Sequence, residues 1–246
     1  FIESPRHIEV QILRDLYGNC VALGERDCSI QRRFQKIIEE APSILIDNRQ
    51  RNELMEMTIE AMNKIGYTNA GTVEFIYDMQ EKEFYFLEMN TRIQVEHPVT
   101  EMVTGIDIVQ NQILIAAGEE LKLQQEDVKI NGHSVECRIY AEDPTTFLPS
   151  PGTINEYSEP SGDGIRVDSG VEKGSTVPIY YDPLISKVIV WAKDRVTAIN
   201  KMKEALRDYK ISGIKTNISF LKRVLEHPNY LSGDYNVYFV KDTFET

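Results

Sequence analysis

Short runs of alternating apolar residues, separated by polar turns, constrain the fold of this chain more than any other feature. Residues 7–14, HIEVQILR, place Ile8, Val10 and Ile12 on one face, and the turn residues YGN at 17–19 precede a second apolar run, CVALGE. This arrangement predicts a β-hairpin. The segments GTVEFIYD and KEFYFLEMN flank a polar turn, MQEK, and predict two further strands.

Apolar residues recur at helical spacing in four other segments. The first helix is expected to begin near Asp47 and to end at Gly66, with an apolar stripe formed by Leu54, Met57, Ala61 and Ile65. The others are expected at residues 107–118, from Asp194 with Ile199, Met202, Leu206 and Tyr209 on one face, and through Ile218, Leu221 and Leu225. Because strands and helices mix without a regular βαβ rhythm, the sequence predicts an α+β fold with an antiparallel sheet.

A polar segment, QQEDVKINGH at residues 124–133, has the composition of a linker. We therefore expect a domain boundary near residue 132, with units 1–132 and 133–246. Beyond this segment come short strands and the turns PSPG and PSGDG, followed by a strong strand, SKVIVWA. With 246 residues and 41% hydrophobic content, the chain can form one large domain or two modest ones.

The composition argues against several classes of partner and location. The net charge of -12 disfavours nucleic acids and anionic membranes, because surfaces that bind them need clustered Lys and Arg. No apolar run reaches the roughly 18 residues of a membrane span, and no signal peptide is recognisable. Three cysteines are too few for a disulfide framework and indicate reduced thiols in the cytoplasm. Since the chain opens on strand-like sequence without Met, we expect it to be the later part of a longer protein.

Two carboxylates and an amide are expected to meet in the second hairpin. A turn centred near Glu81 would set Glu74 opposite Glu88, on the face that also carries Asn90. Opposed like charges destabilise a sheet unless a cation lies between them, and oxygen ligands suit Mg²⁺ or Mn²⁺. Two alternatives stay open: both Glu side chains face solvent, or they are the acid pair of a glycosidase, whose carboxylates stand about 5–10 Å apart.

The residues after this hairpin predict a pocket for a small oxyanion. Arg92, Gln94 and Glu96 recur at period two, so in an extended segment all three would point the same way. A guanidinium can hold a planar oxyanion, an amide can orient it, and a carboxylate can remove its proton. The alternative is a network of surface ion pairs. His97, next to Pro98 in an expected loop, fits a structural role better.

Eight strings in order carry a resemblance to a known family: RHIEVQIL, ERDCSIQRRFQK, EEAPS, AGTVEF, FLEMNTRIQVEHPVTE, VECRIYAEDP, LPSPG and GIKTN. Together they resemble the biotin carboxylase component of biotin-dependent carboxylases, within the ATP-grasp superfamily. The resemblance runs from end to end of the chain, and EMNTRIQVEHPVTE is too long and specific to arise by chance. It implies the second half of an ATP-grasp domain, followed by the C-terminal α+β domain of that family.

The resemblance also implies an activity, which is ATP-dependent carboxylation of biotin on a carrier protein through a carboxyphosphate formed from bicarbonate. It implies Mg²⁺ or Mn²⁺ beside the ATP phosphates, held by Glu74, Glu88 and Asn90. The implied catalytic residues are Glu96, as the base that deprotonates bicarbonate, Arg92 and Arg138, and the implied bicarbonate and biotin site is Arg92, Gln94, the backbone of Val95 and Arg138. The implied ATP contacts are His7, Gln31, Lys36, Glu74, Ile76, Glu88 and Val237.

Two departures from the family pattern bear on this interpretation. Many relatives have His where this chain has Phe34, and a phenyl ring cannot supply the ribose hydrogen bond expected of that His. Family members also carry, ahead of this point, a nucleotide-fold domain and a lid with phosphate-binding lysines and a Gly-rich loop. The 246-residue chain alone is therefore expected to be inactive and to bind nucleotide weakly.

The family implies three kinds of partner: a biotin carboxyl carrier protein or domain, a carboxyltransferase component, and a second copy in a homodimer. Because the carboxyltransferase selects the acceptor, these residues do not distinguish an acetyl-CoA or propionyl-CoA carboxylase from pyruvate carboxylase. An alternative of another class is a non-catalytic fragment whose role is assembly or dimerisation.

Overall fold

The structure, a computed structural model, describes residues 2–245 and is organised around one eight-stranded antiparallel sheet. The strands are β1 (Pro5–Arg14), β2 (Cys20–Arg32), β3 (Gln35–Ala41), β4 (Asn69–Asp78), β5 (Glu83–Asn90), β6 (His133–Tyr140), β7 (Gly152–Thr153), β8 (Glu156–Ser158), β9 (Ile165–Ser169), β10 (Thr176–Val177), β11 (Leu184–Ala192) and β12 (Lys210–Ser212). The helices are α1 (Asn48–Ile65), α2 (His97–Thr104), α3 (Ile108–Ala116), α4 (Arg195–Asp208), α5 (Ile218–Glu226), α6 (Pro228–Ser232) and α7 (Phe239–Phe244), with a 3₁₀ turn at Gln125–Asp127. The strand order of the large sheet is β5-β4-β1-β2-β3-β6-β11-β9, and the other strands form two small sheets, β10-β7 and β12-β8.

Strand β1 gives this sheet two unlike faces. It pairs with β2 in the predicted hairpin and with β4 on its other side, so it lies in the interior of the sheet. Its alternation sends Ile8, Val10 and Ile12 to one face, where they pack with α1, while Glu9 and Gln11 point to the opposite face. Both sets are fully buried. The sheet therefore has one apolar face and one face that carries buried polar side chains.

Three helices begin at the residues that the sequence indicates. Asp47, Asp107 and Asp194 each accept a hydrogen bond from the backbone N–H three residues on, which satisfies a free donor of the first turn. Helix α4 buries its predicted stripe, and α5 packs with it in the largest apolar cluster. Among the helices of residues 2–245, none is both long and apolar enough to cross a bilayer.

The apolar stripe predicted for α1 is right at Leu54 and wrong at Met57, Ala61 and Ile65. The helix buries Leu54, Thr58 and Met62, whereas Met57 and Ile65 are exposed. The buried residues follow each other at intervals of four, as a helix requires, but one of them is polar. The Thr58 hydroxyl donates to the Leu54 carbonyl at 2.7 Å, so it can be buried without an unsatisfied group. Met55 and Ile59 pack against the same apolar cluster, so the buried stripe runs beside the predicted one.

Strand β3 lies where the sequence analysis placed no element. Its apolar pattern is interrupted by Glu39 and Glu40, yet both of these side chains are buried. The strand pairs with β2 on one side and with β6 on the other. The large sheet is therefore continuous across the expected boundary near residue 132, and that boundary stays a prediction.

The segment that follows β5 is not an extended strand, although Arg92, Gln94 and Glu96 all line one cavity. Residues 91–96 form bends and a turn that lead into α2, which begins at His97 instead of leaving it in a loop. Gln94 and Glu96 are buried, whereas Arg92 is exposed. The proline after His97 favours this first helical turn. The helix covers the polar face of the sheet and encloses the buried side chains.

We expect Leu54→Ala to lower the free energy of unfolding by about 2–5 kcal/mol, because it leaves a cavity under α1. The control Met57→Ala changes a side chain in the same helix that is half exposed, and should cost about 0.5 kcal/mol or less. Urea unfolding of the three proteins measures both differences. A larger loss for Met57→Ala than for Leu54→Ala would contradict the observed face of the helix.

Candidate active site

Four charged residues form a row across the polar face of the sheet. Glu88 lies opposite Glu74, as the second hairpin predicts, Glu74 lies opposite Glu9, and Glu9 lies opposite Arg26. Directly opposed side chains have their Cβ atoms about 4.5–5.5 Å apart. Three neighbouring carboxylates would repel one another, so the row requires cations.

Lys36, near the start of β3, supplies the cation that joins this row to α2. Its Nζ lies 2.6 Å from Glu9 Oε2, 3.2 Å from Glu74 Oε1 and 2.6 Å from Glu96 Oε1. An ammonium group has three donors, so each carboxylate receives one hydrogen bond. Arg26, which is fully buried, donates to the other oxygen of Glu9. The three carboxylates thus share one lysine.

These contacts fix the charges of the cluster. Burial alone would raise the pKa of Glu9, but Arg26 and Lys36 hold it at about 2. The pKa of Glu74 is also lowered to about 2, because contacts with His7 and Lys36 outweigh burial. Burial alone would lower the pKa of Lys36, yet the carboxylates around it raise it above its ordinary value. Glu9, Glu74 and Lys36 are therefore charged at neutral pH.

The two opposed carboxylates of the second hairpin have different environments. Glu74 is buried and Glu88 is exposed, so the alternative of two solvent-facing side chains holds for Glu88 only. Asn90 Nδ2 donates to Glu74 Oε1 at 2.8 Å and to Glu88 Oε1 at 3.4 Å. This oxygen-rich and partly open set suits a divalent cation that keeps water or phosphate ligands, as Mg²⁺ does.

His7 contacts the same cluster from β1. Gln31 Nε2 donates to His7 Nδ1 at 2.8 Å, which places the ring proton on Nε2. That nitrogen lies 2.7 Å from Glu74 Oε2. His7, Glu9 and Glu74 are close enough to surround an ion, but this tautomer leaves neither ring nitrogen free to bind one. The ring instead orients Glu74.

The bend at residues 91–96 brings three predicted site residues to the same edge. Gln94 Nε2 donates to Glu74 Oε1 at 2.5 Å. Lys187 of β11 donates to the Val95 carbonyl and holds the bend in place. The Arg92 guanidinium is exposed, and within residues 2–245 it donates hydrogen bonds only to the Ile93 carbonyl and the Asn90 amide oxygen, which leaves it available to an anion.

Arg138 of β6 completes the other side of the cluster. Its Nη2 donates to Glu96 Oε2 at 2.9 Å, and its Nε donates to Glu39 Oε1 at 2.5 Å. Glu96 therefore lies between two cations, Lys36 and Arg138.

One cavity of 1320 Å³ brings these groups together. Its walls include every site residue that the sequence analysis names: His7, Gln31, Lys36, Glu74, Ile76, Glu88, Asn90, Arg92, Gln94, Val95, Glu96, Arg138 and Val237. Ile76 and Val237 add apolar surface to its wall. Phe34 also lines the cavity, with its ring exposed and its backbone at φ +64°. The structure thus places all the predicted residues together, while their individual roles stay predictions.

The sequence analysis missed several charged residues around this cavity. Glu9 and Arg26 lie in β1 and β2, and Glu39, Glu136 and Lys187 lie in β3, β6 and β11. One signal was present for Glu9, because the alternation of HIEVQILR places it away from the face that Ile8, Val10 and Ile12 form. Arg26 lies opposite Glu9 in the same predicted hairpin. No local pattern indicates Glu39, Glu136 and Lys187, because their partners come from strands far apart in the chain.

Comparison with known proteins identifies the family. Residues 1–124 match the family model described as carbamoyl-phosphate synthase L chain, ATP binding domain, and residues 136–242 match the biotin carboxylase C-terminal domain. The chain belongs to the biotin carboxylase family. Biotin carboxylase 1 of Bacillus subtilis (strain 168) is 53% identical over 242 residues, which are 98% of this chain and 54% of that relative.

Two further members of the family show how far the likeness extends. A pyruvate carboxylase subunit of Methanothermobacter thermautotrophicus is 51% identical over 243 residues, 98% of this chain and 49% of that relative. The crystal structure of the biotin carboxylase domain dimer of Hydrogenobacter thermophilus 2-oxoglutarate carboxylase, with MgADP, ADP and bicarbonate, matches with a TM-score of 0.96 at 51% identity, covering 98% of this chain and 53% of that one. The predicted α+β fold is confirmed, and the chain spans about half the length of the relatives it matches.

We expect Glu9→Gln to destabilise the protein in a way that depends on pH. A carboxyl whose pKa is lowered by folding stabilises the fold above its unfolded pKa and loses this effect as the pH falls. At pH 7 wild type should be more stable by on the order of 3 kcal/mol, and the difference should shrink as the pH falls from about 4.5 toward about 2. Urea unfolding between pH 7 and pH 3 measures it, with the exposed Glu60→Gln as control. A difference that does not change with pH would contradict an ionised, buried Glu9.

Proposed function

We propose that the protein to which this chain belongs carboxylates carrier-bound biotin, using ATP and bicarbonate. The observation that carries this proposal is the cavity in which Lys36 joins Glu9, Glu74 and Glu96, while Arg92 and Arg138 stay within reach of an anion. Membership of the biotin carboxylase family supports it. The solved relative with MgADP and bicarbonate supports the same choice of ligands.

We assign the nucleotide to the side of the cavity formed by β1, β4 and the C-terminal residues. Ile76 and Val237 offer apolar surface to a base, and His7, Gln31 and Lys36 offer polar groups to the sugar and phosphates.

The metal belongs beside these phosphates. Glu74, Glu88 and Asn90 would hold Mg²⁺ or Mn²⁺, which neutralises phosphate charge when bound. Lys36 and the metal together would offset the repulsion between phosphates and the row of carboxylates.

We assign bicarbonate to the edge formed by residues 92–96. The exposed Arg92 guanidinium can hold the anion through two hydrogen bonds, and Gln94 and the Val95 backbone can orient it. Glu96, which lies between Lys36 and Arg138, is placed to accept the bicarbonate proton. Arg138 can then stabilise negative charge that develops on the carboxylated intermediate or on biotin.

We propose that the carboxyltransferase, and not the residues of this cavity, selects the acceptor of the carboxyl group. Relatives about half identical to this chain are named for pyruvate and for 2-oxoglutarate, so the shared cavity does not select between acceptors. We propose a separate carrier and a carboxyltransferase as partners, and a homodimer, as in the related domain that crystallised as a dimer. We also propose the division into units 1–132 and 133–246, between the two matched family models.

The full-length protein should show ATP hydrolysis that depends on bicarbonate and on biotin, and Glu96→Gln should lower its kcat by about 10²–10⁴-fold because the base is lost. The KM for ATP should stay nearly unchanged, since Glu96 contacts the bicarbonate edge. Steady-state assays measure both constants, with Glu81→Gln in the exposed hairpin turn as control. An equal loss of ATP affinity would show that Glu96 supports structure, and hydrolysis independent of bicarbonate would refute the proposed reaction.

A further inference from the structure

Two acidic side chains next to Arg138 lie opposite each other on neighbouring strands in the interior of the sheet. Glu39 of β3 lies directly opposite Glu136 of β6, and neither side chain has any exposed surface. Opposed residues on neighbouring strands have their Cβ atoms about 4.5–5.5 Å apart. Neither residue lines the cavity.

The two carboxyls have too few hydrogen-bond donors for two negative charges. Glu39 Oε1 accepts from Arg138 Nε at 2.5 Å, but Glu39 Oε2 and both oxygens of Glu136 have no partner among residues 2–245. A buried carboxylate without partners is strongly unfavourable, and such a group takes up a proton instead. A proton on one carboxyl would also give the pair the donor that it lacks.

The charges around the pair lead to the same conclusion. The charged groups that face Glu136 are Glu39 from β3, Arg138 from β6, Lys187 from β11 and Glu96 from the start of α2. Lys36 also acts on Glu39, but its three donors are taken by Glu9, Glu74 and Glu96, so it donates no hydrogen bond to the pair. Burial raises the pKa of Glu136 well above its usual range, and raises that of Glu39 to about 7 although Arg138 lowers it.

We propose that Glu39 and Glu136 share one proton at neutral pH and act as a positioning pair for Arg138. Glu39 holds Nε of the guanidinium, which directs Nη2 toward Glu96. The shared proton prevents a third negative charge next to Arg138, so that an anionic substrate meets less repulsion there. This inference rests on the proposed function for the role of Arg138, but the shared proton can be tested without turnover.

The first test measures stability against pH in Glu136→Gln, which mimics the protonated carboxyl. A carboxyl whose pKa is raised by folding destabilises the fold as the pH rises from its unfolded pKa toward its folded pKa. The unfolding equilibrium constant of wild type, relative to that of Glu136→Gln, should therefore rise by up to about tenfold per pH unit above about pH 4.5. The proposal would be overturned if wild type were more stable than Glu136→Gln at pH 7 and the difference between their free energies of unfolding did not change with pH.

Glu40→Gln provides a matched control with the opposite expectation. Glu40 is the buried neighbour of Glu39, but Arg195, His133 and Tyr235 all contact its carboxylate, and these contacts lower its pKa against the effect of burial. Its replacement should destabilise the protein at pH 7, unlike that of Glu136. If a variant fails to fold, ¹³C NMR of wild type labelled at the glutamate carboxyl carbons decides: one protonated carboxyl assigned to Glu39 or Glu136 is expected at pH 7, and two ionised carboxylates at these positions would refute the pair.

The positioning role is tested in the full-length enzyme. Glu39→Gln should lower kcat by roughly tenfold to a hundredfold with little change in the KM for ATP, because Arg138 loses its alignment. Wild-type turnover should fall at alkaline pH as the pair loses its proton, and Glu136→Gln should remove that fall. Identical pH profiles of turnover for wild type and Glu136→Gln would contradict the positioning role. A wild-type enzyme that does not carboxylate biotin would refute the proposed function, and the shared proton would then be tested by the NMR measurement alone.

Discussion

The ammonium group of Lys36 is the contact on which the rest of the site depends. It lies within 3.2 Å of Glu9, Glu74 and Glu96, which come from two strands and from the N-terminal end of α2. Charges taken out of water are tolerated only with good partners and complete hydrogen bonding. One lysine with three donors satisfies three carboxylates at once, and this contact fixes the bend at residues 91–96 over the sheet. The cavity wall follows from that arrangement.

The antiparallel register explains why so many charges can be buried together. Strands β5, β4, β1 and β2 bring Glu88, Glu74, Glu9 and Arg26 into one row, while the same strands send their apolar residues to the other face and α1. The apolar face stabilises the sheet by excluding water from its side chains. The polar face can therefore hold the network of ion pairs around Lys36, to which the phosphate and carboxylate groups of a ligand can add further contacts.

The sequence predicted local features well and long-range charge pairing poorly. Both hairpins, the starts of α1, α3 and α4, and the opposition of Glu74 to Glu88 follow from alternation, turns and caps, all of which are local. Alternation and spacing also indicated six of the thirteen cavity residues, and the family motifs supplied the other seven: His7, Gln31, Lys36, Ile76, Val95, Arg138 and Val237. Strand β3 was missed because two adjacent glutamates, Glu39 and Glu40, are typical of a solvent-exposed segment. The α1 stripe was misplaced because Thr58 is polar, yet it is buried with its hydroxyl hydrogen-bonded to the backbone. Glu136 could not have been found, since its environment is made by strands far apart in the chain.

The most direct test of this account is the pH dependence of stability in Lys36→Met, with the exposed Lys64→Met as control. Without the ammonium, the pKa values of Glu9 and Glu74 in the folded state should rise from about 2 toward their unfolded values, although Arg26 and His7 still contact them. The loss of stability relative to wild type should then grow as the pH rises from about 2 to about 4.5, because the two carboxylates lose a cation that stabilises their ionised form. A loss that is the same at every pH, or no larger than that of Lys64→Met, would contradict a cluster built around the charge of Lys36.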